Sequence, residues 1–388
     1  MKKIILILLC LIVFVSITPR FSYCETNSEH VYEELNKDIN EQLNSFDFSG
    51  LDKELNKQNG YKNLPFIERV KKIINGEINL DYNSFISYIL NLLFDEILSI
   101  VPLICLIISV GIICSLVGQI GGAGSKNSVS TVVYFVCFSV IVVLVFKSSL
   151  GLITTTKQTL SSISNQIQLI FPILLTLITT LGGSVTAGIY QPAMSVLSTV
   201  ISELFLSILM PIFILSFVFN VMGNISPSIR LEKFAKFFSS LFKWLIGIVF
   251  TLFVSFITIQ GITAITTDSV SIKTAKFALK SYIPILGGYL SDGVSLILAS
   301  TVLVKNGVGV TGLIMLFSTI LSPVFKILIF MLGLKLVAAI LEPLTEKRIS
   351  DFVYGVSKSL SMLIACVLGM GFMYLISVGL VMCSANIF

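Results

Sequence analysis

The chain contains 388 residues, of which 55% are hydrophobic and only 12% are charged, and its formal net charge is +5. Soluble domains carry about 25% charged residues, so this composition excludes an ordinary soluble protein, a nucleic-acid-binding protein and a disordered interaction hub. The length instead suits several membrane-spanning helices of about 20 residues each.

Residues 1–24 have the features of a secretory signal peptide. Two lysines precede an apolar run over residues 4–17, and Ser22 and Cys24 are small residues that suit cleavage before Glu25. An uncleaved membrane anchor is the alternative. Either element would export the segment that follows it.

Residues 25–84 are predicted to form an exported, acidic, helical head. Residues 25–96 carry 14 acidic and 7 basic side chains, a net charge of −7. Apolar residues recur every three or four positions from Val31 to Phe46 and from Ile67 to Ile74, with a polar stretch between, which predicts two amphipathic helices. A segment this short buries little core alone. It would therefore either pack on the membrane body or serve as a docking arm for a partner outside the cytoplasm.

Residues 85–388 are predicted to form an all-α, polytopic membrane domain. This part is basic, since residues 97–388 carry 7 acidic and 16 basic side chains. Its eight apolar runs cover about 97–117, 129–146, 167–181, 193–222, 244–265, 283–304, 308–341 and 353–383. The intervening segments 147–166 and 266–282 are rich in Ser and Thr.

An internal repeat is predicted from prolines that share one offset. Four prolines form two pairs separated by 112 residues: Pro172 with Pro284, and Pro211 with Pro323. Similar residues surround both members of each pair, so we predict a duplication with units of about 129–222 and 244–341. Proline- and glycine-broken helices are typical of duplicated transporter folds.

A basic cluster orients the predicted spans. It consists of Arg230, Lys233, Lys236 and Lys243, and the positive-inside rule places it in the cytoplasm. If every run crosses the membrane, the cluster falls on the exported side. If the segment from Pro172 to Gly183 is re-entrant, the cluster falls inside. Two glycine pairs suit re-entrant turns: Gly182 with Gly183, and Gly287 with Gly288.

A few ionisable side chains lie within the apolar runs: Glu203, Asp292, Lys326 and Lys335. A lone charge at the bilayer centre costs about 3 kcal/mol or more, so such groups usually face a cavity or a partner. We predict that Glu203 and Asp292 line a conduit, with Lys326 as a candidate partner of Glu203. Interhelical ion pairs or lysines that reach the membrane interface are the structural alternative. The full candidate conduit or gate set is Glu203, Asp292, Lys326, Pro172, Pro211, Pro284, Pro323, Gly182, Gly183, Gly287 and Gly288.

The residue types required for common enzymatic chemistry are scarce. His30 is the only histidine, and none of the seven cysteines forms a CxxC pair, so we expect no catalytic residue, no metal site and no cofactor. Gly121–Lys126 lacks the GxxxxGK[ST] spacing of a phosphate-binding loop and is predicted to be a turn. We expect no enzymatic activity, and any ATP would be hydrolysed by a partner.

One segment of the chain resembles a known family. The sequence ALKSYIPILGGYLSDG over Ala278–Gly293 resembles the stage III sporulation protein AE family. The dipeptide Gln260-Gly261, the segment Ser322–Lys326 and the segment Leu341–Pro343 agree with it. The resemblance covers roughly residues 60–388.

The resemblance implies a location and a set of partners. Members lie in the outer forespore membrane of endospore-forming bacteria, and the acidic head would face the intermembrane space. Expected partners are the lipid bilayer and other stage III sporulation A-operon proteins, including a secretion-type ATPase and ring-forming subunits, with a forespore-side partner contacted indirectly. The implied function is a conduit or export-gate subunit of a mother cell–forespore channel complex. A stand-alone secondary transporter of a small solute is the alternative.

Overall fold

The computed structural model describes residues 29–57, 64–77, 82–121, 128–225, 231–282, 287–345 and 347–384. Helices dominate this part of the chain and none of it forms a strand, which confirms the predicted all-α class. The predicted signal peptide, Pro284 and Arg230 lie outside the described residues. So does the predicted turn after Gly121.

Three short helices form the head: α1 (Glu29–Asn44), α2 (Ser49–Asn56) and α3 (Phe66–Ile74). Their apolar faces bury Leu43, Leu51 and Phe66 almost completely. The first backbone N–H of α3, that of Phe66, donates to Asp52 Oδ1 at 2.6 Å. Because the first amides of a helix have no partner within it, this bond fixes the start of α3 against α2.

The body consists of long helices: α4 (Tyr82–Gly121), α5 (Ser128–Thr180), α6 (Ser184–Glu203), α7 (Met210–Ile225), α8 (Glu232–Tyr282), α9 (Gly287–Leu341) and α10 (Lys347–Cys383). A π-helical segment, Leu204–Leu209, joins α6 to α7 without a break. The eight apolar runs therefore lie in six rods, each long and apolar enough to cross a membrane.

Consecutive rods are antiparallel, as hydrogen bonds between them show. Ser202 Oγ of α6 donates to Ser164 Oγ of α5, and Ser216 Oγ of α7 donates to the carbonyl of Ala235 in α8. In the last pair, Ser350 Oγ near the start of α10 donates to the carbonyl of Ala338 near the end of α9. Asn220 Nδ2, near the end of α7, also donates to the carbonyl of Gly355 near the start of α10. The starts of α8 and α10 therefore lie at the same end of the bundle.

This arrangement gathers Lys233 and Lys236 with Lys347 and Arg348 at one end. The re-entrant alternative also predicted that the basic cluster lies on the cytoplasmic side. It attributed this to a segment that enters the membrane and returns, whereas the structure has one continuous helix there. The runs 129–146 and 167–181 belong to one helix, α5, of 53 residues. Such a helix is about 80 Å long, against about 30 Å for the hydrocarbon core of a bilayer, so the two runs form a single passage.

The predicted proline breaks take a different form from the one expected. Pro172 and Pro323 lie inside continuous helices. Pro211 is the second residue of α7; it cannot donate to the carbonyl four residues back, and the helix widens to π geometry directly before it. The break between α5 and α6 lies at Gly182, whose φ is 83°, a value that favours glycine.

The predicted repeat is not confirmed. Pro172 lies well inside α5, whereas α8 ends at Tyr282, before the matching Pro284. Gly182 and Gly183 close a turn after α5, whereas Gly287 and Gly288 are the first residues of α9. Relative to the matched prolines and glycines, the helices of the two proposed units therefore end at different positions.

The hairpin of α9 and α10 lies at the centre of the bundle. About half of the most apolar stretch is buried in α9 (50%) and in α10 (56%), against 22% in α4 and in α8. Helices α5 and α7 pack directly on the central hairpin, as ring contacts such as Phe138 with Phe352 show. Helices α4 and α8 form the rim.

Candidate functional site: a polar face beneath the head

The exposed surface of α5 changes character near Gly151. Over residues 132–150 the exposed side chains are apolar apart from Lys147. Over residues 151–180 none of the exposed side chains is a large apolar one. These later positions are Thr154, Lys157, Gln158, Ser161, Gln168, Pro172, Thr176, Thr179 and Thr180. Lipid suits the first surface, whereas the second requires water or a polar partner.

Helix α6 continues this polar surface beside α5. Five polar residues are exposed at intervals of four positions: Gln191, Ser195, Thr199, Glu203 and Ser207. Residues four apart are neighbours on the surface of a helix, so the five form one row that winds slowly around α6 and ends at Ser207 in the π-helical segment. Ser207 Oγ donates to the Glu203 carboxylate.

Cavities open along this surface. One of about 510 Å³ lies between α5 and α6, and its lining includes Gln168, Pro172, Thr176, Gln191, Ser195 and Thr199. A second, of about 630 Å³, is lined by α4, α5, α9 and the head, and its residues include Gln158, Ser161, Asn165, Ser318, Ser322 and Lys57. Both lie along the same stripe of α5.

We name the polar face by its residues on three adjacent helices. They are Gln191, Ser195, Thr199 and Glu203 of α6, Ser207 of the π-helical segment, Gln158, Ser161, Asn165, Gln168 and Thr176 of α5, and Ser318 and Ser322 of α9. Hydroxyl and amide groups dominate this set. A polar solute could therefore exchange hydrogen bonds along the face, where fixed charges are few and include Glu203 of α6 and Lys57 of the head at the second cavity.

The head is fastened to the polar face by a buried carboxylate. Glu54 of α2 is 4% exposed and accepts hydrogen bonds from Lys57 Nζ at 2.6 Å, Ser162 Oγ at 2.5 Å and Asn165 Nδ2 at 3.2 Å. Burial by itself raises the pKa of Glu54, but these three hydrogen bonds outweigh it and hold the pKa below its ordinary value. The carboxylate is therefore charged at neutral pH, and it joins α2 to α5.

A second attachment joins the head to α9. Gln42 Nε2 donates to Ser300 Oγ at 3.1 Å and to Thr301 Oγ1 at 3.0 Å. Val70 and Ile74 of α3 approach Gly307 so closely that a β-carbon there would lie 3.0 Å from Ile74 Cγ1. The head thus bridges α5 and α9, which is the packing arrangement that the sequence left open.

The predicted site residues are only partly brought together. Pro172 and Pro323 line the two cavities, and Glu203 belongs to the polar face. Lys326 is exposed one turn beyond Ser322 on α9. The ion pairs among the described residues are Glu54 with Lys57 and Glu232 with Lys236, so Glu203 and Lys326 do not pair within the chain.

The remaining predicted residues lie at the edges of this region or outside it. Gly182 and Gly183 close the turn that joins α5 to α6, and Pro211 is exposed just beyond the polar face. Asp292 belongs to α9, but its side chain is outside the described part of the structure. Among the described residues, no group of three His, Cys, Asp or Glu side chains could hold a metal ion.

Two functional-looking residues were missed by the sequence reasoning. Lys305 is fully buried, and its Nζ donates to the carbonyl of Ser384 at the end of α10, where a helix terminus favours a cation. The position of Lys305 as a single lysine within the apolar stretch 302–310 could have indicated that it is buried. Glu54 gave no signal, because it is one acid among many in the head.

Comparison with known proteins identifies the family. A family model described as stage III sporulation protein AE matches residues 64–385. The chain is similar to stage III sporulation protein AE of Bacillus subtilis (strain 168), with 25% identity over 316 residues, which cover 81% of this chain and 79% of the relative. No solved structure matches. This protein is therefore a membrane protein with a role in sporulation, and it belongs to the stage III sporulation protein AE family.

Proposed function

We propose that this protein is the conduit or export-gate subunit of a channel complex that connects the mother cell with the forespore. The observation that carries the proposal is the polar face, which gives a largely apolar membrane body exposed and half-buried hydroxyl and amide groups on adjacent helices. A path for hydrated cargo needs such a surface.

The chemistry of the polar face suits passage better than tight binding. Conduction requires interactions strong enough to admit a solute but weak enough to release it. Neutral hydroxyl and amide groups from Gln158 to Thr176 provide weak, repeated hydrogen bonding. Glu203 adds one carboxylate at the edge of the face.

Orientation follows from charge. The basic starts of α8 and α10 suit the mother-cell cytoplasm, and the head is attached to the opposite half of the bundle, through Ser162 and Ser300. The head would then face the intermembrane space of the outer forespore membrane. Labelling of Ser184→Cys only from outside and of Ser239→Cys only from inside would agree, whereas cytoplasmic labelling of Ser184→Cys would reverse this orientation.

Energy for transport would come from a partner. The sequence contains no GxxxxGK[ST] phosphate-binding loop, and we assign the chain no catalytic chemistry. A secretion-type ATPase at the cytoplasmic end and ring-forming subunits in the intermembrane space would complete the path. If the protein associates with neither the ATPase nor the ring-forming subunits in sporulating cells, this assignment is contradicted.

The conduit is tested by blocking the polar face with a matched pair of substitutions. Thr199→Trp places a large ring in the cavity between α5 and α6, whereas Val200→Trp places it on the neighbouring apolar surface, where Val200 is already 49% exposed. We expect Thr199→Trp to reduce late forespore gene expression and heat-resistant spores to the level of a strain without the protein. Val200→Trp should sporulate normally. If the two variants are present in the membrane in equal amounts and sporulate equally well, the conduit is contradicted.

A stand-alone secondary transporter is the second candidate, and buried polar groups favour it. Lys305 is fully buried, and Gln166 Nε2 donates to Thr319 Oγ1 at 2.7 Å inside the bundle. Polar groups within a membrane bundle often mark a substrate path. Purified protein that moves a solute down an ion gradient in vesicles, without any partner, would favour the transporter over the conduit.

A further inference from the structure

Glu203 and Lys326 are exposed charges of opposite sign on the membrane body. Neither takes part in the ion pairs formed by the described residues. The Glu203 carboxylate accepts a hydrogen bond from Ser207, but a hydroxyl group leaves its charge uncompensated. Within the part of the chain that the structure describes, each of these charges can therefore still pair with a group on another molecule.

The two charges lie within about two helical turns of each other along the bundle. Ser202, next to Glu203, bonds to Ser164 of α5, and Thr319 of α9 bonds to Gln166, two residues further along α5. Lys326 is two turns from Thr319, about 10 Å along the axis, and its side chain is long enough to cover much of that distance.

The charges also occupy opposite edges of the polar face. Helix α5 packs between α6 and α9, as its hydrogen bonds to Ser202 on one side and Thr319 on the other show. Glu203 therefore gives the face an acidic edge on α6, and Lys326 gives it a basic edge on α9. The exposed stripe of α5 lies between these edges.

We propose that a second copy of this chain supplies the missing partner, with Glu203 of one copy paired to Lys326 of the next. This inference rests on the proposed conduit function. A contact between unlike edges is heterologous, and it closes into a ring when the rotation between copies permits. A two-fold dimer through the α6 edge would instead oppose two carboxylates, which electrostatics disfavours. In such a ring the α5 stripes of neighbouring copies line a shared path.

The π-helical segment supports Glu203 as a contact residue. It begins at Leu204, immediately after Glu203, and π turns within helices occur frequently at functional sites. The segment turns the following exposed residues, Ile208 and Leu215, towards an apolar surface that suits lipid. Polar contact with another copy would thus end where lipid contact begins.

Charge reversal in sporulating cells provides the first test. Two differently tagged copies of the full chain are expressed together, and one is captured from detergent-solubilised membranes. We expect Glu203→Lys or Lys326→Glu in both copies to reduce co-capture about tenfold, and the double reversal to restore it. Lys335→Glu is the control, because nine residues place Lys335 on the opposite face of α9. Unchanged co-capture in both single variants would overturn the proposal.

Cross-linking provides the second test and identifies the contacting edges. In a background without native cysteines, one tagged copy carries Glu203→Cys and the other carries Lys326→Cys. A short thiol-reactive cross-linker should give a dimer with both tags. A dimer formed by Glu203→Cys copies alone would indicate a two-fold contact, and a cross-link only to a different protein would assign the edge to that protein. Either result would overturn the proposal.

Failure of this inference can be distinguished from failure of the conduit. If Thr199→Trp blocks sporulation while the tagged copies neither co-capture nor cross-link, the conduit stands and the second copy is excluded. If the copies cross-link while Thr199→Trp sporulates normally, assembly stands and the conduit fails.

Discussion

The two halves of α5 share one backbone geometry but suit different surroundings. The half from residue 132 to 150 exposes Val, Phe and Leu, and the half from residue 151 to 180 exposes Thr, Ser, Gln and Pro. Both halves bury apolar residues against α9 and α10. The comparison teaches that the buried face specifies the fold, whereas the exposed face records whether lipid or water surrounds it.

A charge placed on each half of α5 should separate these surroundings most strongly. Val140 is 40% exposed on the apolar half, and Thr176 is exposed on the polar half. A charge on a lipid-facing helix costs about 3 kcal/mol or more, so we expect Val140→Glu to reduce the amount of membrane-inserted protein severely. Thr176→Glu should insert at the normal level.

Insertion is measured by carbonate extraction and immunoblotting of tagged protein. The isosteric pair Val140→Thr and Thr176→Val controls for side-chain size, and both variants should insert. Equal loss of protein in Val140→Glu and Thr176→Glu would show that lipid surrounds both halves of α5.

The contact between the head and α9 should break at Gly307. A β-carbon there meets Ile74 Cγ1 at 3.0 Å and Val70 Cγ1 at 3.1 Å, whereas one at Gly293 of the same helix meets nothing within 4 Å. Overpacking typically costs about 1–3 kcal/mol. We expect Gly307→Val to expose the head to limited proteolysis and Gly293→Val to leave it protected. Equal protection in the two variants would mean that α3 does not depend on this close approach.

The head illustrates what the sequence could predict. The periodicity from Val31 to Phe46 and from Ile67 to Ile74 correctly predicts α1 and α3, because two amphipathic helices each repeat every three or four residues. Helix α2 was missed, since its eight residues, Ser49–Asn56, are mostly polar. Its inward-facing acid, Glu54, is stabilised by residues more than a hundred positions away, and local sequence does not contain that information.

The length of α5 shows a second limit. The dip in hydropathy over residues 147–166 suggested separate spans, but the helix continues through it. Thr154, Thr156 and Thr159 each donate to the carbonyl four residues back, that of Leu150, Leu152 and Thr155 respectively. Such bonds satisfy polar side chains within a helix, so hydroxyl-rich sequence changes the surface without ending the helix.

The buried carboxylate of Glu54 should make head attachment depend on pH. Hydrogen bonds from Lys57, Ser162 and Asn165 lower its pKa from the ordinary value of 4.5, so the charged form is favoured in the attached state. A group whose pKa is lowered by folding contributes stability above its ordinary pKa and loses it as the pH falls through the lowered pKa. We therefore expect the head to be protected at pH 7 and to become more accessible below about pH 4.5.

Glu54→Gln removes this titration while keeping the size of the side chain. Hydrogen bonds to charged groups contribute about 1.5–3 kcal/mol, and the neutral amide also loses the attraction to Lys57. We expect the head of Glu54→Gln to exchange amide hydrogens faster than the wild type at pH 7, with little further change on acidification. Asp47→Asn is the matched control, because Asp47 is also an acid of the head with a lowered pKa but bonds only to neighbouring Ser49. If hydrogen exchange in the wild-type head does not change with acid, the attachment does not depend on the Glu54 carboxylate, and the contacts of Gln42 and Gly307 hold the head on α9 instead.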